Sequence, residues 1–328
     1  YLKAFLFTIF CSLLIFSCDI MKKLSTVSSP DGNLSVTFSL SDSGNPQYTV
    51  HHGEKQIIDT SSLGFEFKNL PPIKNNLQIS SVERRSFDET WQPVWGEQKE
   101  VRNHYNELLV SLKETDNPQR VIKIRFRVFN DGVGFRYEVP AQKSMADSLS
   151  IMNEQTEFAL TRDHTSWWIP ADYDSYEYNY KETKISEIDA SEFASENERV
   201  DRQIGNFNAG NTPITMKTED GLYLSFHEAN LTDYPGMTLV VTDDLKLVSE
   251  LVPWSDGTKA RIKPPFSTPW RTIQVGKSAS ELAESFILQN LNEPNKLEDT
   301  SWIEPMKYTG IWWEMHLGKS TWGIEEAA

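Results

Sequence analysis

The sequence predicts a mainly β protein built as a large antiparallel β-sandwich. Short runs rich in Val, Phe, Tyr and Thr recur from about residue 25, and Gly, Asn, Pro and Ser separate them. This composition is typical of strands joined by turns. Helical periodicity is scarce and does not alternate with the strands, which favours a sandwich over a parallel α/β sheet. The 328 residues are enough for one large β domain or two smaller ones.

The clearest strand is RVIKIRFRVF, residues 120–129. Apolar side chains occupy the even positions from 122 to 128, and Lys or Arg occupies the odd positions between them. This alternation predicts a strand with one buried face and one solvent-exposed face. The turn sequence NDGVG follows, and FRYEV at residues 135–139 alternates again. We therefore expect a β-hairpin here.

Similar strand patterns recur in GLYLSFHEA, MTLVVT, LKLVSELV and WRTIQV. The best helical candidate is SASELAESFILQNL, residues 278–291. Ser278 or Ser280 stands where an N-cap is expected, ahead of Glu281. The sequence thus predicts one helix among many strands.

The N-terminus has the pattern of a targeting signal. Lys3 precedes an apolar run, residues 4–17, that is too short for a comfortable membrane span. The run ends in IFSC, which resembles a bacterial lipobox with Cys18 as the lipidated residue. We expect residues 1–18 to be a lipoprotein signal peptide, with the protein held in the periplasm or cell envelope through a lipid on Cys18. A plain secretory signal cleaved elsewhere is the alternative.

Composition excludes several function classes. A net charge of −15 and a pI near 4.9 would repel polyphosphate, so we expect no nucleic-acid partner. The only cysteines are Cys11 and Cys18. If one leaves with the signal and the other carries lipid, no disulfide, cysteine nucleophile or cysteine-bound zinc remains. Ten Trp and eleven Tyr exceed the usual needs of packing, and flat aromatic faces suit sugar rings.

The first candidate site is WWIPADYDSYEYNYKET, residues 167–183. If this stretch is extended, Asp172 and Asp174 point the same way, and Glu177 follows three residues later. Clustered carboxylates bind hard cations such as Ca²⁺ and also hold sugar hydroxyls. The alternative is a soluble strand edge with no binding role.

The second candidate is DETWQPVWGEQKEVRNHYNEL, residues 88–108, read as a long polar and aromatic loop. Trp91 and Trp95 lie in it, and binding residues often occupy such loops. The alternative is an Arg and His network that braces the loop. His104 and His227 are too isolated in sequence to indicate a metal site or a catalytic triad.

Seven segments together resemble glycoside hydrolase family 97, whose best-known member is a calcium-dependent α-glucosidase of bacterial starch-utilisation systems. The resemblance runs from about residue 28 to the C-terminus and keeps the order and spacing of the family. The segments are FDETWQPVWGEQKEVRNHYNEL, FNDGVGFRYEVP, WWIPADYDSYEYNY, MKTEDGLYLSFHEA, STPWRTI, LNEP and KYTGIWWEM.

This resemblance implies an N-terminal β-supersandwich domain over residues 25–304, followed at residues 305–328 by the start of a catalytic (β/α)8 barrel. YTGIWW is then the first barrel strand, and the chain is cut off inside the barrel. Barrel active sites lie at the C-terminal ends of the strands. The family's catalytic carboxylates would lie beyond this chain, so we expect no catalytic residue in it and no activity from it alone.

The resemblance also implies two site residues. Glu177 matches the Glu that the N-terminal domain lends to the active-site Ca²⁺, where it also contacts the substrate. Trp312 matches a residue that lines the sugar site at the end of the first barrel strand, and barrel-core packing is the alternative for it. The segment SEFASENERVDRQ, residues 191–203, does not match the family well enough to assign substrate contacts.

The resulting expectation is the N-terminal part of an exo-acting, inverting, calcium-dependent α-glucosidase. Its substrate would be an α-linked, starch-derived oligosaccharide, and its sandwich would pack on its own catalytic barrel. One alternative is a retaining α-galactosidase of the same family, which would differ in the separation of its catalytic carboxylates. Another is a non-catalytic carbohydrate-binding lipoprotein. A third is a domain that only orders the loops of its barrel.

Overall fold

A computed structural model describes residues 26–194, 203–308, 310, 317–319 and 325. Within these residues the chain is mainly β, as predicted, and its strands form two antiparallel sheets. The described strands are, in chain order, β1 (Thr26–Ser28), β2 (Leu34–Leu40), β3 (Pro46–His52), β4 (Lys55–Phe67), β5 (Leu77–Trp91), β6 (Val101–Glu114), β7 (Val121–Phe129), β8 (Gly132–Val139), β9 (Leu149–Leu160), β10 (Thr165–Trp168), β11 (Lys181–Lys184), β12 (Ala209–Asn211), β13 (Ile214–Lys217), β14 (Tyr223–Ala229), β15 (Met237–Val241), β16 (Lys246–Leu251), β17 (Ala260–Ile262), β18 (Phe266–Ser267) and β19 (Trp270–Gly276).

The strand order shows that the chain crosses between the two sheets several times. The first sheet runs β1-β2-β3-β4-β9-β16-β15-β12, and β17 also pairs with β9. The second runs β11-β10-β13-β14-β19-β8-β7-β6-β5, and β18 also pairs with β8. Hairpins such as β2–β3 and β15–β16 join neighbours in sequence, whereas β9 and β19 pair with strands distant in sequence.

The predicted hairpin is confirmed as β7 and β8, with Phe129 opposite Gly132 at its turn. Burial alternates along β7 as the sequence pattern predicts. Gly132 is needed because a Cβ there would lie 2.5 Å from the carbonyl oxygen of Ile273 in β19. The hairpin can therefore lie flat against its neighbour in the sheet only with glycine at this position.

The core between the sheets is largely aromatic. Phe65 of β4 and Tyr137 of β8 have ring centroids 4.6 Å apart, and both side chains are fully buried. The Tyr137 hydroxyl accepts a hydrogen bond from the Gly64 N–H at 3.2 Å, so burial leaves it satisfied. Burial of each such ring contributes about 1.5–3 kcal/mol.

A buried charge network also joins the two sheets. Arg271 of β19 donates to Glu154 of β9 through Nε and Nη2 at 2.8 and 2.9 Å, and its Nη1 donates to Glu228 of β14 at 2.5 Å. The Tyr234 hydroxyl donates to Glu154 at 2.9 Å. Burial lowers the pKa of Arg271, but Glu154 outweighs that effect and the pKa is raised overall. Burial raises the pKa of the Glu228 carboxyl, against the lowering effect of Arg271.

The predicted helix at 278–291 is two short helices, α1 (Ala279–Ala283) and α2 (Ile287–Leu291). The predicted cap is confirmed, because the Ser278 hydroxyl accepts from the Glu281 N–H at 3.3 Å. The single-helix prediction is wrong because Ser285 interrupts it. Its hydroxyl donates to Asp131 at 2.6 Å and accepts from the Ile287 N–H at 3.3 Å. Two 3-10 helices, at Ile185–Glu187 and Ser191–Ala194, complete the described helices.

The described residues divide into two compact units. The first holds those up to Glu89 and those from Asn103 to Glu293, and the second holds those from Thr90 to Arg102 and from Pro294 onward. In the second unit, Trp302 Nε1 donates to the Asp299 carbonyl at 3.1 Å. The predicted signal peptide with Cys18 lies outside the described residues, as do four of the six residues of the predicted barrel strand YTGIWW.

None of the described helices is long and apolar enough to cross a membrane.

His164 gives the sandwich a predicted pH dependence. Its ring is buried, and neither ring nitrogen has a hydrogen-bond partner in the described structure. Burial, followed by nearby Lys55, lowers the pKa of His164 below its ordinary value of 6.5. As the pH falls through that ordinary value, the unfolded chain takes up a proton that the folded chain does not, so stability is lost.

We expect His164→Leu to reduce the loss of unfolding free energy between about pH 7.5 and about pH 5.5. Urea unfolding of both proteins at the two pH values measures this loss. The same loss in both proteins would contradict the assignment.

Candidate functional site

The stretch that carries Glu177 is a loop fixed by one buried carboxylate. Asp172 is 1% exposed, and its Oδ1 accepts backbone N–H bonds from Asp174, Ser175 and Gln203 at 2.9, 3.2 and 3.1 Å. This side chain therefore satisfies three backbone N–H groups and, together with the β-bridge from Asp172 to Ile204, sets the path of the loop.

The remaining acceptors of Asp172 are also occupied. Its Oδ2 accepts from the Tyr178 hydroxyl at 2.5 Å, and its carbonyl accepts from Asn211 Nδ2 at 3.0 Å. Asp174 is exposed, so the two carboxylates do not point the same way. Between its ends in β10 and β11 this stretch is a loop and not a regular strand, and the Asp172 carboxylate is engaged in fixing the path of that loop.

Glu177 presents an available carboxylate on this loop. Its side chain is exposed, and its backbone N–H donates to the Ser175 hydroxyl at 3.1 Å. Within the part of the chain that the structure describes, its carboxylate has no hydrogen bond and no ion pair. It can therefore give its oxygens to a ligand without breaking an existing contact.

The described residues fit Ca²⁺ only as part of a shared site. A Ca²⁺ ion takes six to eight oxygen ligands, and no group of three or more metal-binding side chains occurs among the described residues. Glu177 suits one ligand position, and other ligands would have to come from elsewhere. Trp312, the second predicted site residue, lies outside the described residues.

An open cleft of about 790 Å³ begins at the residue before Glu177. Tyr173 and Tyr176 line it on the loop. Trp254 and Lys259 line it from the β16–β17 connection, and Arg261 lines it from β17. The Tyr176 and Trp254 side chains are 61% and 58% exposed. Sequence reasoning missed Trp254 because it is a lone Trp in a turn, and the only signal was the turn sequence WSDG.

Tyr173 is seated against a glycine. A Cβ on Gly205 would collide with the Tyr173 hydroxyl, so Gly205 makes room for this ring. Burial raises the pKa of Tyr173, and the charge of Glu250 adds to the effect. The tyrosine is thus neutral and held in place where it lines the cleft.

Residues 88–108 are mostly two strands, so their interpretation as a long loop is wrong. Only residues 92–100 connect β5 to β6. Tyr105 is buried and stacks on Phe87, with ring centroids 5.2 Å apart. His104 Nε2 lies 3.9 Å from Asp88 Oδ2, which agrees with the bracing alternative more than with a binding site.

Comparison with known proteins places these features in a family. Residues 27–294 match the family model "Glycosyl-hydrolase 97 N-terminal". The chain is 24% identical over 331 residues to a retaining α-galactosidase of Bacteroides thetaiotaomicron, covering 95% of this chain and 47% of the relative. It is 25% identical over 268 residues to a probable retaining α-galactosidase of Streptomyces bingchenggensis, covering 80% of this chain and 37% of the relative.

Solved structures also show similarity to glycoside hydrolase family 97. A glycoside hydrolase family 97 enzyme from Pseudoalteromonas sp. strain K8, in complex with panose, superposes with a TM-score of 0.81 at 39% identity. The match covers 92% of this chain and 43% of that enzyme. The same enzyme in complex with acarbose matches equally well. The chain spans less than half the length of these relatives, and it belongs to the N-terminal domain family of glycoside hydrolase family 97.

Proposed function

We propose that this chain is the N-terminal part of an exo-acting, inverting, calcium-dependent α-glucosidase that acts on starch-derived oligosaccharides. The observation that carries the proposal is its 39% identity, over 92% of the chain, to an enzyme bound to panose or acarbose. Panose is an α-linked glucose trisaccharide. Identity to the two α-galactosidases is lower, at 24% and 25%.

Glu177 is the residue of this chain that we propose to hold Ca²⁺ and to contact the sugar. Ca²⁺, when bound, orients a sugar and supports nearby catalytic carboxylates. Asp172 fixes the backbone of the loop, so binding has to order only the Glu177 side chain and not the loop that carries it. Trp312 would line the sugar site, and the catalytic carboxylates would lie in a (β/α)8 barrel beyond the sandwich, against which the sandwich packs.

The proposal also includes the location of the protein. A lipid on Cys18 would hold it in the periplasm or cell envelope, where it would meet oligosaccharides and no nucleic acid. Extraction into detergent that depends on Cys18 would support the anchor, whereas release of the unaltered protein as a soluble species would contradict it.

The second candidate is a retaining α-galactosidase of the same family. The similarity to the retaining α-galactosidase of Bacteroides thetaiotaomicron, which covers 95% of this chain, favours it. The two functions differ in the stereochemistry of the product as well as in the sugar.

Product analysis on the protein expressed from its complete open reading frame distinguishes them. We expect hydrolysis of maltotriose with β-glucose as the first anomer seen by proton NMR, and loss of that activity on addition of a chelator. Melibiose, an α-galactoside, serves as the matched substrate. Preferential release of α-galactose from melibiose would contradict the glucosidase proposal and support the second candidate.

A further inference from the structure

We propose that the cleft beside Glu177 is a binding subsite for units of an α-linked oligosaccharide that lie away from the bond being cleaved, with Trp254 as its stacking platform. This inference rests on the proposed function and adds a site in the sandwich itself. Its volume of about 790 Å³ falls in the range of about 300–1,000 Å³ that small-molecule clefts have.

A tight turn fixes the backbone that carries Trp254. Trp254 opens this turn, in which its N–H donates to the Thr258 carbonyl, and the Gly257 N–H donates back to the Trp254 carbonyl, both at 2.8 Å. Gly257 has a φ of +79°, which glycine adopts readily. The Asp256 carboxylate accepts from the Thr258 N–H at 3.1 Å and closes the turn.

The indole is also stacked from one side. The Arg261 guanidinium lies 5.0 Å from the centroid of the Trp254 ring, a cation–π arrangement. The same guanidinium pairs with Asp256 at 3.0 Å. More than half of the Trp254 side chain nevertheless stays exposed, so its ring offers area to a ligand.

The charges of the cleft disfavour an anionic ligand, and the exposed lining carboxylate of Asp233 can accept hydrogen bonds from sugar hydroxyls. Its two basic lining residues are both neutralised, because Lys259 pairs with Glu250 and Arg261 pairs with Asp256. The carboxylate of Asp172, which also lines the cleft, already accepts four hydrogen bonds. No lining cation is therefore left unpaired to attract a phosphate or carboxylate. Aromatic faces suit the apolar face of a sugar ring, and the polar groups beside them suit its hydroxyls.

The position of the cleft relates it to the proposed active site. Tyr176 lines the cleft, and the next residue is Glu177. A long oligosaccharide held near Glu177 can therefore reach the cleft, and we expect a disaccharide, which has fewer sugar units, to depend on the cleft less.

The test compares substrate lengths in the protein expressed from its complete open reading frame. We expect Trp254→Ala to raise KM for maltoheptaose about three- to tenfold, the loss that one aromatic stacking contact implies. KM for maltose and kcat for both substrates should not change. Trp254→Phe should restore most of the affinity. Trp95→Ala removes an equally exposed indole outside the cleft and should change nothing.

A binding measurement keeps the two proposals separate. In chelator, which prevents turnover, calorimetry should show maltoheptaose binding that Trp254→Ala weakens by the same factor. An unchanged KM for maltoheptaose in Trp254→Ala, a rise in KM that is equal for maltose and maltoheptaose, or no binding of maltoheptaose would overturn the subsite. If Trp254→Ala lowers the melting temperature and leaves the dependence of KM on oligosaccharide length unchanged, Trp254 contacts the rest of the protein and not the substrate. Failure of the unaltered protein to hydrolyse maltose would overturn the proposed function alone.

Discussion

Replacement of Arg271 by Met is expected to lower the free energy of opening the sandwich by about 3–5 kcal/mol, because it leaves two buried carboxylates without their cation. Arg271 and Glu154 are fully buried, and the Glu228 side chain is nearly so. The two glutamates could then remain in the core only by taking up protons or by admitting water. Hydrogen exchange of amides in β9, β14 and β19 measures the effect in the strands concerned.

The matched control is Arg162→Met, which breaks an exposed ion pair with Glu219. An exposed pair contributes about 0–1 kcal/mol, so this variant should exchange like the unaltered protein. A triple variant, Arg271→Met with Glu154→Gln and Glu228→Gln, should recover part of the loss because it removes the unpaired charges. If Arg271→Met exchanges like the control, the network does not hold the sheets together.

Replacement of Glu177 by Gln is expected to reduce kcat/KM of the full-length enzyme on the order of 100-fold, because a neutral amide is a poor calcium ligand. The change keeps the size of the side chain, and the backbone bond from Glu177 to Ser175 does not involve it. The loop should keep its path, since Asp172 and not Glu177 fixes that path. Steady-state kinetics on maltotriose at a fixed Ca²⁺ concentration measures the effect.

Asp174→Asn is the control for this change. Asp174 is an exposed carboxylate on the same loop, and it carries the same charge. Its loss should leave kcat/KM close to that of the unaltered enzyme. Equal losses in the two variants would mean that the charge of the loop, and not a specific ligand at Glu177, supports activity.

The fold was largely predictable because several of its strands alternate between apolar and polar residues. In β7 the pattern of alternate apolar residues appears directly as alternate burial. The long β5–β6 hairpin was missed because its residues are mostly polar, Pro93 and Gly96 punctuate it, and β5 is exposed along most of its length. These two strands form because they pair with each other in the sheet, which the hydrophobic pattern does not show. The break between α1 and α2 depends on a bond from Ser285 to Asp131, 154 residues away, which no local pattern contains.

The candidate site was predictable only in part. The family resemblance singled out Glu177, and the structure gives it an exposed carboxylate without a partner among the described residues. The sequence did not show that Asp172 is buried and Asp174 exposed. Asp172 is buried because the fold brings Asn211 and Gln203 to it. Trp254 was missed for the same reason, since only the fold brings its turn beside the loop at 172–176.

The most direct test is a calorimetric Ca²⁺ titration of the full-length protein and its Glu177→Gln variant. If the sandwich lends the Glu177 carboxylate to a shared cation, the variant should bind Ca²⁺ about 10- to 100-fold more weakly, while Asp174→Asn binds normally. Equal Ca²⁺ affinity in the unaltered protein and in Glu177→Gln would contradict that role.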